Sequence, residues 1–285
     1  MSDLVPEAAE PPPLTPAIGL DRRVELAALG TLFAMTVERL LRGRRLIVLS
    51  LFFLLPTAIT LLARRYNPDY EPTEVETVLV FYMIPQALVP LTALVLASGM
   101  IQDEVEDQTW TYLLIRPLPR WAIYAAKLAG TLTVAVGITA VFTTITLAAI
   151  HWGAPGFWGE LLPGRTARIA GLMSLATVAY GALFGCLSLV VKRTLVLGAA
   201  YVILFEGVFA NIDFVVRKAT VMWYTRVLAE RWLGLHVASW NIDLETAPSG
   251  VTSLAALAAA SVAATVLAGG IVSLREFRVK TPEGS

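Results

Sequence analysis

The 285-residue chain is 56% apolar and only 15% charged, with a mean hydropathy of +0.69. A soluble domain carries about 25% charged residues, so this composition excludes a water-soluble fold and specifies an integral membrane protein. The 22 basic and 22 acidic side chains cancel, which argues against nucleic acid as a partner, and the single Cys186 excludes an internal disulfide or a cysteine-built metal site.

Residues 1–20 begin the chain as a Pro-rich polar tail (PEAAEPPPLTP over 6–16). Such a composition cannot bury enough apolar surface to fold and is expected to be disordered. No apolar run stands near Met1, so no secretory signal is expected. Residues 21–45 read as an amphipathic helix. Leu26, Leu29, Phe33, Val37, Leu40 and Leu41 recur at three- and four-residue spacing, with arginines crowding both ends. That pattern suits a helix lying at an anionic membrane surface; the alternative is an N-terminal extension of the first span.

Six apolar runs are read as membrane spans, each requiring about 20 residues. They fall near 46–63, 78–101, 128–150, 169–191, 194–210 and 251–274. The first and fifth are short. Pro56, Pro85 and Pro90 lie inside spans, where neighbouring helices can satisfy the freed carbonyls. The transmembrane domain as a whole covers 21–280, leaving 281–285 as a C-terminal tail. Basic residues set the orientation. With the N-terminus in the cytoplasm, the inner flanks hold 14 of the 22, among them Arg42, Arg44, Arg45, Arg116, Arg120, Lys192 and Arg275. The positive-inside rule therefore favours both termini in the cytoplasm, as in a bacterial plasma (inner) membrane protein.

Between the second and third spans, residues 98–127 concentrate the chemistry. Asp103, Glu104, Glu106 and Asp107 follow directly on an apolar run, then a short apolar helix leads into Arg116-Pro117-Leu118-Pro119-Arg120. Asp107 can cap that helix, which runs about Gln108 to Ile115, and acids before it with arginines after it complement its dipole. Pro117 ends it. Trp110, Leu113 and Leu114 then form an exposed face suited to a groove on a soluble partner. The bland reading is a solvated loop whose charges only fix topology.

This stretch resembles the cytoplasmic loop of ABC-2 type transporter permeases, in which an acidic E-x-E element leads into Gly-Thr, an apolar run, a Pro and an Arg, and then Gly-Lys. The matching residues are Glu104-Val105-Glu106, Thr109, Leu113-Leu114-Ile115, Pro117, Arg120 and Lys127, with Gln108 and Ala126 standing where the family often has Gly. The resemblance implies an all-α membrane protein of six transmembrane helices, with an N-terminal elbow helix and a cytoplasmic coupling helix. It implies that Glu104, Glu106, Asp107, Thr109, Trp110, Leu113, Leu114, Pro117 and Arg120 couple the chain to an ATPase. It further implies two copies of a separate ATP-binding subunit, which would hold ATP and Mg, and a second permease as homodimer or related heterodimer. In such relatives the segment between the fifth and sixth spans often forms re-entrant or external helices, and 211–250 is long enough. Its Trp223, Tyr224, Trp232 and Trp240 suit the lipid–water boundary; the 151–168 loop, with Trp152 and Trp158, looks like a compact outer turn.

Glu206 is the one carboxylate within an expected span. A charge at the bilayer centre costs about 2.5–3.5 kcal/mol on insertion scales, so it should face protein or water. Two readings stay open: a substrate-pathway residue, or a paired carboxyl near the outer boundary. Gln86 is a weaker pathway candidate, more readily used in an interhelical hydrogen bond. His151 and His236 read as interfacial anchors rather than metal ligands, and Gly181 with Gly185 as a helix-packing seam.

No G-x-x-x-x-G-K-[ST] occurs, so ATP, if it drives function, acts in another chain. The leading expectation is a non-catalytic permease subunit, an exporter, forming half of a translocation pathway. The alternatives are an ion-coupled secondary transporter or channel working through Glu206, a structural membrane subunit of a larger complex, or an intramembrane enzyme, for which no nucleophile–base pair is visible.

Overall fold

The computed structural model describes residues 22–67, 69–106, 118–154, 159, 163–191, 193–211, 215–235 and 237–274, with 22–24, 101–106, 211 and 215–216 described as backbone only. Among the described residues every regular element is helical. The chain order is α1 (Arg22–Leu41), α2 (Arg44–Tyr66), α3 (Pro72–Glu76), a π-helical segment (Thr77–Leu88) and α4 (Val89–Glu106). Then follow α5 (Arg120–Ile150), α6 (Thr166–Val190), α7 (Thr194–Tyr201) with a second π-helical segment (Val202–Val208), α8 (Val221–Leu233) and α9 (Gly250–Leu274). The expected tails at 1–20 and 281–285 lie outside the described residues.

Among the described residues, five helices are long and apolar enough to cross a membrane: Arg44–Tyr66, Pro72–Met100, Arg120–Ile150, Pro163–Val190 and Gly250–Leu274. The expected fifth span differs. The apolar helix there runs Thr194–Val208 and is shorter than the other five. Its 8 α-helical and 7 π-helical residues would reach at most about 22 Å, against a hydrocarbon core of about 30 Å. The other five are longer than hydropathy alone suggested, because polar ends carry on the helical ladder. Span three is the clearest case: its helix opens at Arg120, and Lys127, only 3% exposed, stands two turns inside it.

Helix α6 is the hub, packed against α4, α5, α8 and α9. Its Gly181 and Gly185 face α5, where Leu132, Tyr124 and Leu128 fill the space a side chain would take. Threonines add hydrogen bonds between helices. Thr57 of α2 and Thr146 of α5 pair at 3.0 Å, and Thr177 of α6 donates to Thr139 of α5 at 3.2 Å. In an apolar medium such bonds are a main means of holding spans in register.

The first π segment has a cause in the sequence. Pro85 and Pro90 lack N–H groups, so an α ladder through them would lose bonds and strand carbonyls. Wider turns recover partners, as where the Val89 N–H donates to the Ile84 carbonyl five residues back.

Helix α1 is a separate element and not an extension of α2: the chain leaves the helix at Arg42 and Gly43, with Gly43 extended at ψ 141°. It packs mainly on α5. Leu32 of α1 meets Leu118 and Ile123 in a small buried cluster. Two turns further along α5, Gly130 comes so close to α1 that a Cβ there would lie 3.2 Å from the Phe33 carbonyl oxygen and 3.1 Å from Thr36 Cβ. Gly130→Val therefore pushes α1 off α5. We expect a destabilisation of about 1–3 kcal/mol, read as a lower thermal midpoint of the purified protein, while Gly137→Val, at a position with open space around it, leaves the midpoint unchanged.

Candidate functional site

Two of the three buried carboxylates among the described residues each gather a polar cluster. The first is Glu206, with 0% exposure. It sits in the second π segment, and the hydroxyl of Tyr201 donates to its Oε1 at 3.2 Å. Its Oε2 accepts the backbone N–H of Met222 at 3.2 Å. Met222 belongs to the first turn of α8, where N–H groups have no partner within the helix and the dipole is positive. Glu206 thus anchors the start of α8, together with Thr220, whose Oγ1 accepts from Trp223 N at 3.2 Å. The Tyr180 hydroxyl lies near the same carboxylate without the geometry of a hydrogen bond.

Arg226, one turn along α8, is buried beside this group and donates to the Ala210 carbonyl at 3.1 Å. Its guanidinium also stands 5.9 Å from the Tyr82 ring and 5.7 Å from the Trp240 ring, within the range of cation–π attraction. Burial pulls the Arg226 pKa below its usual value, opposed by Tyr82 and Glu206; an arginine so placed stays charged at neutral pH. Tyr82 in turn bonds Ser239. The first π segment, α8 and the Ala238–Trp240 turn are thus joined through one cation and two rings.

The second carboxylate, Glu76, is 1% exposed at the entry to the second span. His151 Nε2 lies 2.7 Å from its Oε2, and Arg165 Nη2 donates to Oε1 at 2.8 Å. One acid therefore joins the ends of α5 and α6 to the start of span two. Beside it, Arg64 of α2 donates to the carbonyls of Ala149 and Trp152 at 2.9 and 2.7 Å, and the Tyr70 hydroxyl donates to Ile150 at 3.0 Å. Burial raises the Tyr70 pKa, and the Arg64 cation partly offsets this.

The expected site residues are distributed as follows. Glu104 and Glu106 close α4, where only backbone is described, and Arg120 opens α5. Asp107, Thr109, Trp110, Leu113, Leu114 and Pro117 lie outside the described residues, as does His236. Gln86 is half-buried on the first π segment and is not among the groups that bond Glu206. Trp223 and Trp240 face inward and are buried, so of the four aromatics expected at the lipid boundary in 211–250 only Trp232 is exposed. Helix α8 is accordingly a packed element: its residues from Val221 to Glu230 are buried apart from Tyr224. His151 is a hydrogen-bond partner of Glu76, a role its sequence neighbours did not suggest. The missed residues are Glu76, Arg165 and Arg226. The legible signal was the Arg226–Glu230 spacing, which places two opposite charges on one face of the helix.

A chain of long apolar helices that satisfies Glu206, Arg226 and Glu76 from within the protein defines a multi-pass membrane protein. Residues 41–211 match the family described as ABC-2 family transporter protein. The match covers more than half of the chain, and the chain belongs to that family. It is a membrane-spanning transport subunit, of a kind that works with ATP-binding subunits. No curated protein matches the chain.

Loss of the Glu206 carboxyl should separate two substitutions. Glu206→Ala leaves the Met222 N–H buried without a partner and is expected to cost about 1–3 kcal/mol. Glu206→Gln keeps an acceptor for Met222 and can donate to Tyr201, so its thermal midpoint is expected within a degree or two of the parent.

Proposed function

We propose that this chain is the non-catalytic permease half of an ABC-2 exporter in the bacterial inner membrane, with both termini cytoplasmic. A second copy or a related chain completes the pathway, and two ATP-binding subunits supply hydrolysis. The family match over 41–211 carries the reading, because it contains the whole acidic, Pro-bounded segment between α4 and α5. Glu104, Glu106, Asp107, Thr109, Trp110, Leu113, Leu114, Pro117 and Arg120 are the residues that transmit the ATPase's motion. Nothing in the outer segments suggests docking of an external binding protein, which favours export. Residues 194–211 act as the sixth membrane-embedded element, completed by the polar cluster at Glu206 rather than by length.

The return of the coupling segment supports the same reading. Leu118 is buried against Leu32 of α1 and Ile123 of α5, so a push on the segment would reach both helices at once. Helix α1, which exposes Leu26, Met35 and Leu41, then serves as the elbow helix in the inner headgroup layer. Gln86 is the pathway residue we retain. Glu206 is assigned to holding α8 and not to contact with cargo, since its bonds go to Tyr201 and Met222. An ion-coupled mechanism through that carboxyl is correspondingly disfavoured.

Co-purification of an ATP-binding subunit with the tagged chain is the direct test; a chain that transports without one would sink the proposal. Glu104→Ala combined with Glu106→Ala should lower transport roughly tenfold, the scale of a typical coupling free energy, while the ATPase subunit still hydrolyses ATP. Unchanged transport in that double variant argues against coupling through this segment. Glu206→Gln should transport at the parent rate, and a loss of transport with normal stability would return Glu206 to the pathway.

A further inference from the structure

An open groove of about 490 Å³ lies between the start of α6 and the end of α8. Among the described residues, Arg168, Arg231 and Trp232 line it above an apolar floor of Ala167, Gly171 and Leu172, with no carboxylate among them. Arg231 is held in place by three carbonyls: its Nη2 donates to Leu244 and Ala247 at 2.8 and 2.9 Å, and its Nε to Pro248 at 2.9 Å. Arg168 is differently disposed. Its Nε reaches the Gly164 carbonyl at 3.3 Å, and its terminal amino groups bond nothing among the described residues.

The height of the groove follows from its neighbours. Arg168 is in the first turn of α6, and Trp232 lies against Gly250, where α9 begins. Both are the ends of apolar spans, so the groove opens at the membrane–water boundary. Trp232 is 40% exposed there, the location that amphipathic aromatics favour. A planar guanidinium recognises phosphate through paired charge-assisted hydrogen bonds. The apolar floor beneath has no use for a free anion but suits the first methylenes of an acyl chain.

We propose that this groove binds an anionic phospholipid, with the phosphate on Arg168 and Arg231 and the acyl chain running over Gly171 beside the Trp232 ring. The inference requires only that α6 and α9 cross the membrane. It is independent of ATPase coupling, so failure of either leaves the other standing.

The test is native mass spectrometry of the purified full chain released from detergent, titrated with phosphatidylglycerol or with phosphatidylcholine. Phosphatidylglycerol should be retained in preference. Arg168→Gln should weaken that retention about tenfold, the equivalent of one charge-assisted bond. Gly171→Leu fills the groove from a position where an added Cβ meets nothing within 4 Å. It should therefore block phosphatidylglycerol at an unchanged thermal midpoint. Equal retention of both lipids, or parent-like retention by Arg168→Gln, overturns the proposal. Displacement of phosphatidylglycerol by excess inorganic phosphate would overturn the lipid assignment in favour of a free-anion site. Arg231 is left intact in every arm because it also holds the 244–248 turn.

Discussion

A bilayer offers no water to a stranded polar group, and this one constraint explains most of what is unusual in the chain. Each carboxylate, hydroxyl or freed carbonyl within the apolar region needs a partner supplied by protein. The π-helical turns around Pro85, the threonine pairs between α2, α5 and α6, and the seating of Glu206 on α8 are three answers to the same demand. Remove the demand and each would be a defect. Within lipid each is a joint.

The joints are not evenly distributed. Glu76 ties span two to the adjoining ends of α5 and α6, and Arg64 ties α2 to the same corner. Glu206 and Arg226 tie the short apolar helix, the first π segment and α8. Both sets stand at or towards the end of the bundle that carries α8. At the opposite end Leu32, Leu118 and Ile123 form an apolar contact where α1 meets the start of α5. Ionic ties hold their groups at fixed distances and orientations, whereas an apolar contact can slide.

Much of this architecture could be read from the chain. Hydropathy located the apolar helices, because a run of twenty apolar residues has few other uses. Gly181 and Gly185 were legible as a packing seam, and the separate helix at 22–41 was legible from its spacing and its flanking arginines. Lengths and partners were not. Lys127 looked like the border of span three but is buried two turns inside a helix that opens at Arg120. Glu206 stood out as an acid in an apolar run, yet its partner is a backbone N–H sixteen residues away on a helix read as surface-lying. Trp223 and Trp240 followed the rule for boundary aromatics by type and broke it by position, because Arg217 and Arg226 draw their rings inward. A one-dimensional pattern reports the medium that a segment prefers. It does not report which neighbour will satisfy a given polar atom.

The close approach at Gly130 carries a mechanical consequence. With no side chain between them, α1 and α5 touch almost backbone to backbone, so a rocking motion of α5 must sweep α1 along. For a helix lying among headgroups, as proposed, that sweep is lateral work against the surface tension and viscosity of the leaflet. α1 then behaves as a keel, and turnover becomes sensitive to bilayer fluidity and lateral pressure even where no lipid touches the cargo.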